Sequence, residues 1–252
     1  MKIQYCSDLH LEFPENKEFL KDNPLLPKGD ILLLAGDIVP FAVMDNHKDF
    51  FDYVSDNFKY TYWVAGNHEY YRSEITDKTG AFNEKIRSNV FLINNTSVIQ
   101  NNIKFVFSTL WTKIRPEYQW QIEKGLNDFH VIKYKGYRLS TEKYNMLHAE
   151  SLKFLKQELN SEKTNKTIVV THHVPTLFNY PEKYKGSVLN DAFAVELFNL
   201  IETAGPDYWV FGHHHQNIPD FKIGKTKLTT NQLGYVVYGE HILFKENKVF
   251  SI

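Results

Sequence analysis

Five short apolar runs in this chain each end in residues able to ligate a metal ion. Lys2–Cys6 leads to Asp8 and His10, residues 31–35 to Gly36-Asp37, and residues 61–65 to Gly66-Asn67-His68-Glu69. Residues 167–171 end at His172-His173, and residues 208–211 at Gly212-His213-His214-His215. Runs of this kind, bounded by polar turns, read as buried strands. Polar groups just beyond strand ends are where α/β sheets bind ligands. A fold that uses this pattern has to bring five strand ends to one place.

Between the runs, helical spacing covers residues 46–58, with Phe50, Phe51 and Val54 inward, and residues 142–159 and 192–203. This alternation predicts an α/β protein. Further strands are expected at 90–93, 96–100 and 103–109, joined by the turn pairs Asn94-Asn95 and Asn101-Asn102. The C-terminal region adds 226–230, 241–245 and 248–252, with Glu246-Asn247 as a turn. Together they predict two sheets packed face to face with helices outside. The 252 residues, 42% hydrophobic and 23% charged, suffice for one large core, and no repeat or linker interrupts them. A single domain over 1–252 is expected. Residues 111–140, with mixed charge, aromatics and weak periodicity, read as a partly helical insertion near the site.

Composition excludes several roles. A formal net charge of −1 gives no bulk attraction to nucleic acid or membrane. Cys6 is the only cysteine, so no intrachain disulfide can form. No stretch approaches the roughly 20 apolar residues that span a bilayer, and the N-terminal sequence lacks the apolar core of a secretory signal. A cytoplasmic protein without a membrane partner is the expectation.

The mixture of donors has a chemical meaning. Asp37 has two oxygens and can bridge two cations, while imidazoles and an amide oxygen fill terminal positions without over-neutralising the pair. Two metals about 3.5–4 Å apart activate a shared water and hold a phosphoryl oxygen for in-line attack. Phosphoester hydrolysis is the reaction this set suits best. Taken singly, a D-x-H triplet, a G-D turn or a G-H-H-H loop is weak; five in succession leave little room for coincidence. His173 and His214 are expected behind the ligands or toward solvent, because neighbouring side chains on extended chain point to opposite faces.

The ordered motifs D-x-H, G-D, G-N-H-[DE], H and G-H-x-H, from Asp8 to His215, resemble the calcineurin-like metallophosphoesterase superfamily over nearly the whole chain. The resemblance implies a four-layer α/β/β/α sandwich of two mixed sheets flanked by helices. It also implies two metal ions, Mn or an Fe/Zn pair. Asp8, His10 and His215 would hold the first, Asn67, His172 and His213 the second, and Asp37 would bridge. A metal-bridging hydroxide would attack phosphorus, with His68 as the catalytic group assisting the leaving oxygen.

Departures from the family narrow the reading. The protein phosphatases of this superfamily carry an Asp-Arg pair after G-D and an arginine before G-N-H-E; here Pro40-Phe41 follows and Ala65 precedes. With both arginines absent, protein dephosphorylation is disfavoured. Pro40 also replaces an acidic residue that orients the catalytic histidine in many relatives, so the partner of His68 stays open. A small phosphodiester or phosphomonoester, nucleotides among them, fits the compact chain. The alternatives are a nuclease and a catalytically inactive metal-binding scaffold. No stable nucleic-acid partner is expected, and oligomeric state is not indicated. Trp111, Tyr118, Trp120 and Tyr137 either stack a base or pack the insertion. Residues 176–190 form a loop beside His172 that offers Tyr180, Tyr184 and Lys185. Trp111 and Tyr184 are the candidate substrate contacts.

Overall fold

Alternate residues of the apolar strands are buried on opposite faces, and this sets the layers. In the computed structural model, which describes residues 1–161 and 165–252, the first sheet is built from β1 (Lys2–Cys6), β2 (Ile31–Leu34), β3 (Tyr60–Val64), β4 (Phe82–Arg87) and β5 (Val90–Asn94). The second begins with β6 (Thr96–Gln100) and β7 (Ile103–Ser108). A small hairpin, β8 (Lys133–Tyr134) and β9 (Tyr137–Arg138), follows. The second sheet then resumes with β10 (Lys166–Thr171), β11 (Tyr208–Val210), β12 (Phe221–Ile223) and β13 (Thr226–Thr229). The last strand, β14 (Val249–Ser251), returns to the first sheet.

The two large sheets have the same plan. Their orders are β14-β1-β2-β3-β5-β4 and β12-β13-β11-β10-β7-β6, each with four parallel strands inside and one antiparallel strand on either edge. Ile3, Tyr5, Ile31, Leu33 and Tyr62 of the first sheet face Phe105, Phe107, Ile168 and Val170 of the second in one core. On the outer face, Leu32, Leu34 and Trp63 pack under Phe51 and Val54 of α2 (Lys48–Asn57), whereas α1 (Pro14–Asp22) lies against the C-terminal turns. Strands buried on both faces are continuously apolar, which is why these runs were visible in the sequence.

Within 111–140 lie α3 (Gln119–Gly125), α4 (Asp128–Val131) and the β8–β9 hairpin. This segment packs Ile122, Phe129 and Ile132 beside Tyr144 and Leu147 of α5 (Thr141–Asn160). Leu155 and Leu159 of α5 and Ile201 of α6 (Phe198–Ala204) cover the outer face of the second sheet against Val106, Val169 and Trp209. The architecture is the α/β/β/α sandwich of mixed sheets expected from the sequence. Among the described residues no helix is long and apolar enough to cross a membrane.

Three local expectations are corrected. Residues 241–245 are not a strand; Glu240–Leu243 forms a 3-10 turn, with Ile242 and Leu243 exposed and no sheet edge beside them. The helix expected from 192 starts at Phe198, because Val195 and Leu197 donate backbone hydrogen bonds to Val174 and Pro175 and keep the chain extended there. Asn94-Asn95 does not close a hairpin but carries the chain from one sheet to the other; only Asn101-Asn102, both at positive φ, turns a hairpin.

Trp111, expected as a substrate contact, is a core residue. It is 2% exposed, with its ring 5.0 Å from Tyr144, 5.4 Å from His173 and 5.9 Å from Tyr70. Its neighbours Trp120 and Tyr137 face solvent. Trp111→Ala should therefore cost about 3–5 kcal/mol of stability, as truncation of a buried tryptophan does. Urea unfolding measures this, and a loss below about 1 kcal/mol would place the ring outside the core.

Candidate metal centre

The loops after β1, β2, β3, β10 and β11 meet at one end of the sandwich, and their close approach is visible in the backbone. Asp8, His10, Asp37, His213 and His215 all have positive φ, a conformation costly for a residue with a side chain. Gly66 is obligatory, since a Cβ there would collide with Asp37 Oδ1 and lie 2.8 Å from His172 Cε1. Gly212 likewise leaves no room, as a Cβ would come within 2.6 Å of Ser7 Oγ and 2.7 Å of Asp8 Oδ2. Glu69, the last residue of G-N-H-E, ties two of the loops together. Its buried carboxylate accepts from Gly66 N (2.6 Å), Ile38 N (2.6 Å), Asp37 N (2.9 Å) and Trp63 Nε1 (3.1 Å).

Among the described residues two clusters of donor atoms share Asp37, and a third group, His10, Glu12 and His68, lies beside them. Asp8, His10, Asp37 and His215 bring ligand atoms within 4.8 Å of one another, and so do Asp37, His172 and His213. Asn67 joins the second cluster, its Oδ1 lying 3.0 Å from His172 Nε2. Asp37 belongs to both. His10 Nε2 lies 3.0 Å from His215 Nε2, and His172 Nε2 lies 3.0 Å from His213 Nδ1.

The far sides of these rings fix their tautomers. His10 Nδ1 donates to Glu12 Oε1 (3.2 Å), His215 Nδ1 to Glu240 Oε2 (2.8 Å) and His172 Nδ1 to the Ala35 carbonyl (2.9 Å). With Nδ1 donating outward, Nε2 is the atom each ring can offer to a metal. The Asn67 amide is set in the same way, Nδ2 donating to Asp128 Oδ1 (2.9 Å) so that its oxygen faces the cluster. Burial would lower the His172 and His215 imidazoles, but Asp37 and Asp8, each 3.4 Å from an Nε2, hold them up to about 9 and about 10, while buried His213 Nε2 has no hydrogen-bond partner among the described residues. The converging carboxylates need positive charge between them, which protons on these rings or metal ions can supply, and the mixed donor set fits a pair of metal ions.

His68 stands beside both clusters. Its backbone N donates to Asp37 Oδ1 (2.9 Å), its ring stacks on Tyr71 at 3.9 Å, and its Nδ1 lies 3.1 Å from Glu12 Oε1. Burial alone would lower the His68 imidazole, but the charges of Asp37 and Glu12 hold it above its ordinary value. Burial would raise the Glu12 carboxyl; hydrogen bonds from His10 and His68 instead bring it down to about 2. His173 and His214 turn away from the clusters, though neither faces solvent. His173 bonds to Thr109 O and Tyr144 OH, and His214 to Gln232.

A cavity of about 350 Å³ opens over the clusters. Asp37, Asn67, His68, His213 and His215 form its floor. Tyr71, Tyr180, Tyr184, Tyr235, Leu126, Leu189 and Phe193 supply apolar wall, with Asn127, Ser187 and Asn190 as polar points. Tyr184 lines this cavity, whereas Trp111 is not among its described lining residues. No lysine or arginine is among the described lining residues. Sequence reasoning missed Glu12, Asp128 and Glu240, and gave Glu69 no role beyond its place in the motif. Only Glu12 and Glu69 carried a local signal, as neighbours of His10 and His68.

Residues 1–217 match the family described as calcineurin-like phosphoesterase. The chain belongs to that family. An uncharacterized protein of Acanthamoeba polyphaga mimivirus is 31% identical over 264 aligned positions, covering 92% of this chain and 91% of the relative. Among solved structures, the phosphopantetheinyl hydrolase of Mycobacterium tuberculosis superposes with a TM-score of 0.67 at 14% identity, covering 93% of this chain and 89% of that one. At that identity the likeness speaks for the fold. Calcineurin-like phosphoesterases are dimetal-dependent hydrolases, and this member has His/Asp clusters able to bind metal.

Asp128 holds the Asn67 amide, so Asp128→Ala should weaken the second ion while sparing the first. Calorimetric titration with Mn²⁺ should show two unequal sites, the weaker reduced about 10–100-fold, the usual loss when a ligand's supporting partner is removed. Unchanged affinities would deny Asp128 that role.

Proposed function

We propose that this chain hydrolyses small phosphodiesters that carry one phosphoryl group. Asp8, His10, Asp37 and His215 would hold one metal ion and Asp37, Asn67, His172 and His213 the other, with Mn²⁺ or an Fe/Zn pair suiting the mixed nitrogen and oxygen donors. The observation that carries the reading is the convergence of two donor clusters that share Asp37 at the floor of a cavity whose described lining holds no lysine or arginine.

Bound metals would supply an activated water and polarise the phosphoryl oxygens. The chain's own residues then divide the remaining work. Tyr184 and the polar points Asn127 and Asn190 bound the space for the ester's organic arm. His68 Nε2, 3.4 Å from Tyr235 OH at the cavity surface, is placed to give a proton to the departing oxygen. Walls without lysine or arginine favour a monoanionic diester over a dianionic monoester, and both over a polyphosphate, because charge beyond what the metals hold would meet no lysine or arginine among the described lining residues. The same lack argues against the nuclease alternative, since nucleic-acid binding rests on cationic side chains along the phosphate track. An inactive scaffold would not need His68 held at the cavity in this way.

Hydrolysis of a chromogenic aryl phosphodiester, compared with the matching monoester under added Mn²⁺, tests the assignment. The diester should turn over with the higher kcat/KM, and chelation should abolish both activities. Inactivity of the fully metal-loaded protein on both esters would favour the scaffold. His68→Ala should retain its metal content and lose about 10²-fold or more in turnover, the usual contribution of a positioned proton donor; unchanged turnover removes His68 from the mechanism.

A further inference from the structure

Pro40, three residues after Asp37, offers His68 no acceptor, yet the imidazole is not left to orient itself. Its Nδ1 lies 3.1 Å from Glu12 Oε1, and the same oxygen lies 3.2 Å from His10 Nδ1. Glu12 enters from the turn before α1, two residues beyond His10, and its side chain is 14% exposed. The other oxygen, Oε2, is buried without a partner among the described residues, so the whole interaction of this carboxylate is directed at two imidazoles. The His68 ring is fixed in its remaining directions by the Tyr71 stack at 3.9 Å and by Tyr235 OH at 3.4 Å from Nε2.

Resting on the phosphodiesterase reading above, we propose that Glu12 is the positioning residue of the reaction, orienting the His68 proton donor and the His10 ligand through one oxygen. By accepting Nδ1–H from His68, Glu12 fixes the orientation in which Nε2 carries its proton into the cavity. By accepting Nδ1–H from His10, it turns His10 Nε2 toward His215 and Asp37. In the chemical step a water-derived oxygen forms the new bond to phosphorus while the bond to the ester oxygen breaks. The electron pair stays on that leaving oxygen, which takes the Nε2 proton of His68. The neutral ring regains a proton from solvent before the next turnover, and Glu12 stays a carboxylate throughout.

A poor leaving group needs that proton and a good one does not, so the test is the leaving-group dependence of Glu12→Gln at saturating Mn²⁺. For a dialkyl diester, whose alkoxide is a poor leaving group, kcat should fall about 10²-fold; for a dinitrophenyl diester it should change less than about 3-fold, with similar KM. The loss should not add to that of His68→Ala: the double variant should match His68→Ala alone within about 3-fold. Equal losses on both esters, or losses that multiply in the double variant, would overturn the proposal by making Glu12 a support of His10 only. No loss on the poor leaving group would overturn it outright. Should Glu12→Gln not fold, Glu12→Asp withdraws the carboxylate by one methylene and should show the same split. Wild-type protein inactive on either ester sinks the phosphodiesterase reading itself, whereas active wild type with parallel losses sinks only the role of Glu12.

Discussion

Two carboxylates, Asp8 and Asp37, are fully buried at the meeting point of five loops, 0% and 1% exposed, with histidine nitrogens as their nearest charged neighbours. Buried charge of this density is tolerable only when compensated. The surrounding structure serves that requirement. Gly66 and Gly212 let backbone approach closer than any side chain allows, and five of the converging residues accept positive φ at a cost of about 1–3 kcal/mol each. The parallel inner strands of the two mixed sheets, apolar on both faces, supply the rigidity that keeps such a conformation in place.

Behind the inward-facing atoms stands a second set that decides how they point. The Ala35 carbonyl, Glu240, Glu12 and Asp128 each accept a hydrogen bond from the far side of an imidazole or amide. The near-side atom is then the one free to meet a cation. This makes a group of polar residues a site able to hold metal ions, and it gives His68 a fixed direction at the edge of a cavity with no lysine or arginine among its described lining residues.

What the sequence made legible was local. Each of the seven inward groups follows an apolar run directly, so strand prediction carried the group with it, and the order of motifs identified the sandwich. What it did not disclose depended on distant packing. Glu12 is two residues from His10, but its reach to His68 spans 56 positions and exists only once the loops after β1 and β3 meet. Glu240 supports His215 from 25 positions away with no motif to mark it. Asp128 lies in the irregular segment 111–140, where periodicity was weakest. An aromatic ring at the start of that segment, Trp111, suggests a base-stacking contact, but the ring packs against Tyr70, Tyr144 and His173 in the core. Residues 241–245 look like a strand by their apolar content, but Glu240 is anchored to His215 and Tyr235 N, which holds the chain in a turn.

Electron paramagnetic resonance of the protein during Mn²⁺ titration tests the central claim most directly. If Asp37 joins two adjacent sites, the spectrum at two equivalents should be that of a spin-coupled Mn²⁺ pair, and Asp37→Asn should lose the coupling. A spectrum of isolated ions at two equivalents, or saturation at a single ion per chain, would contradict a binuclear centre.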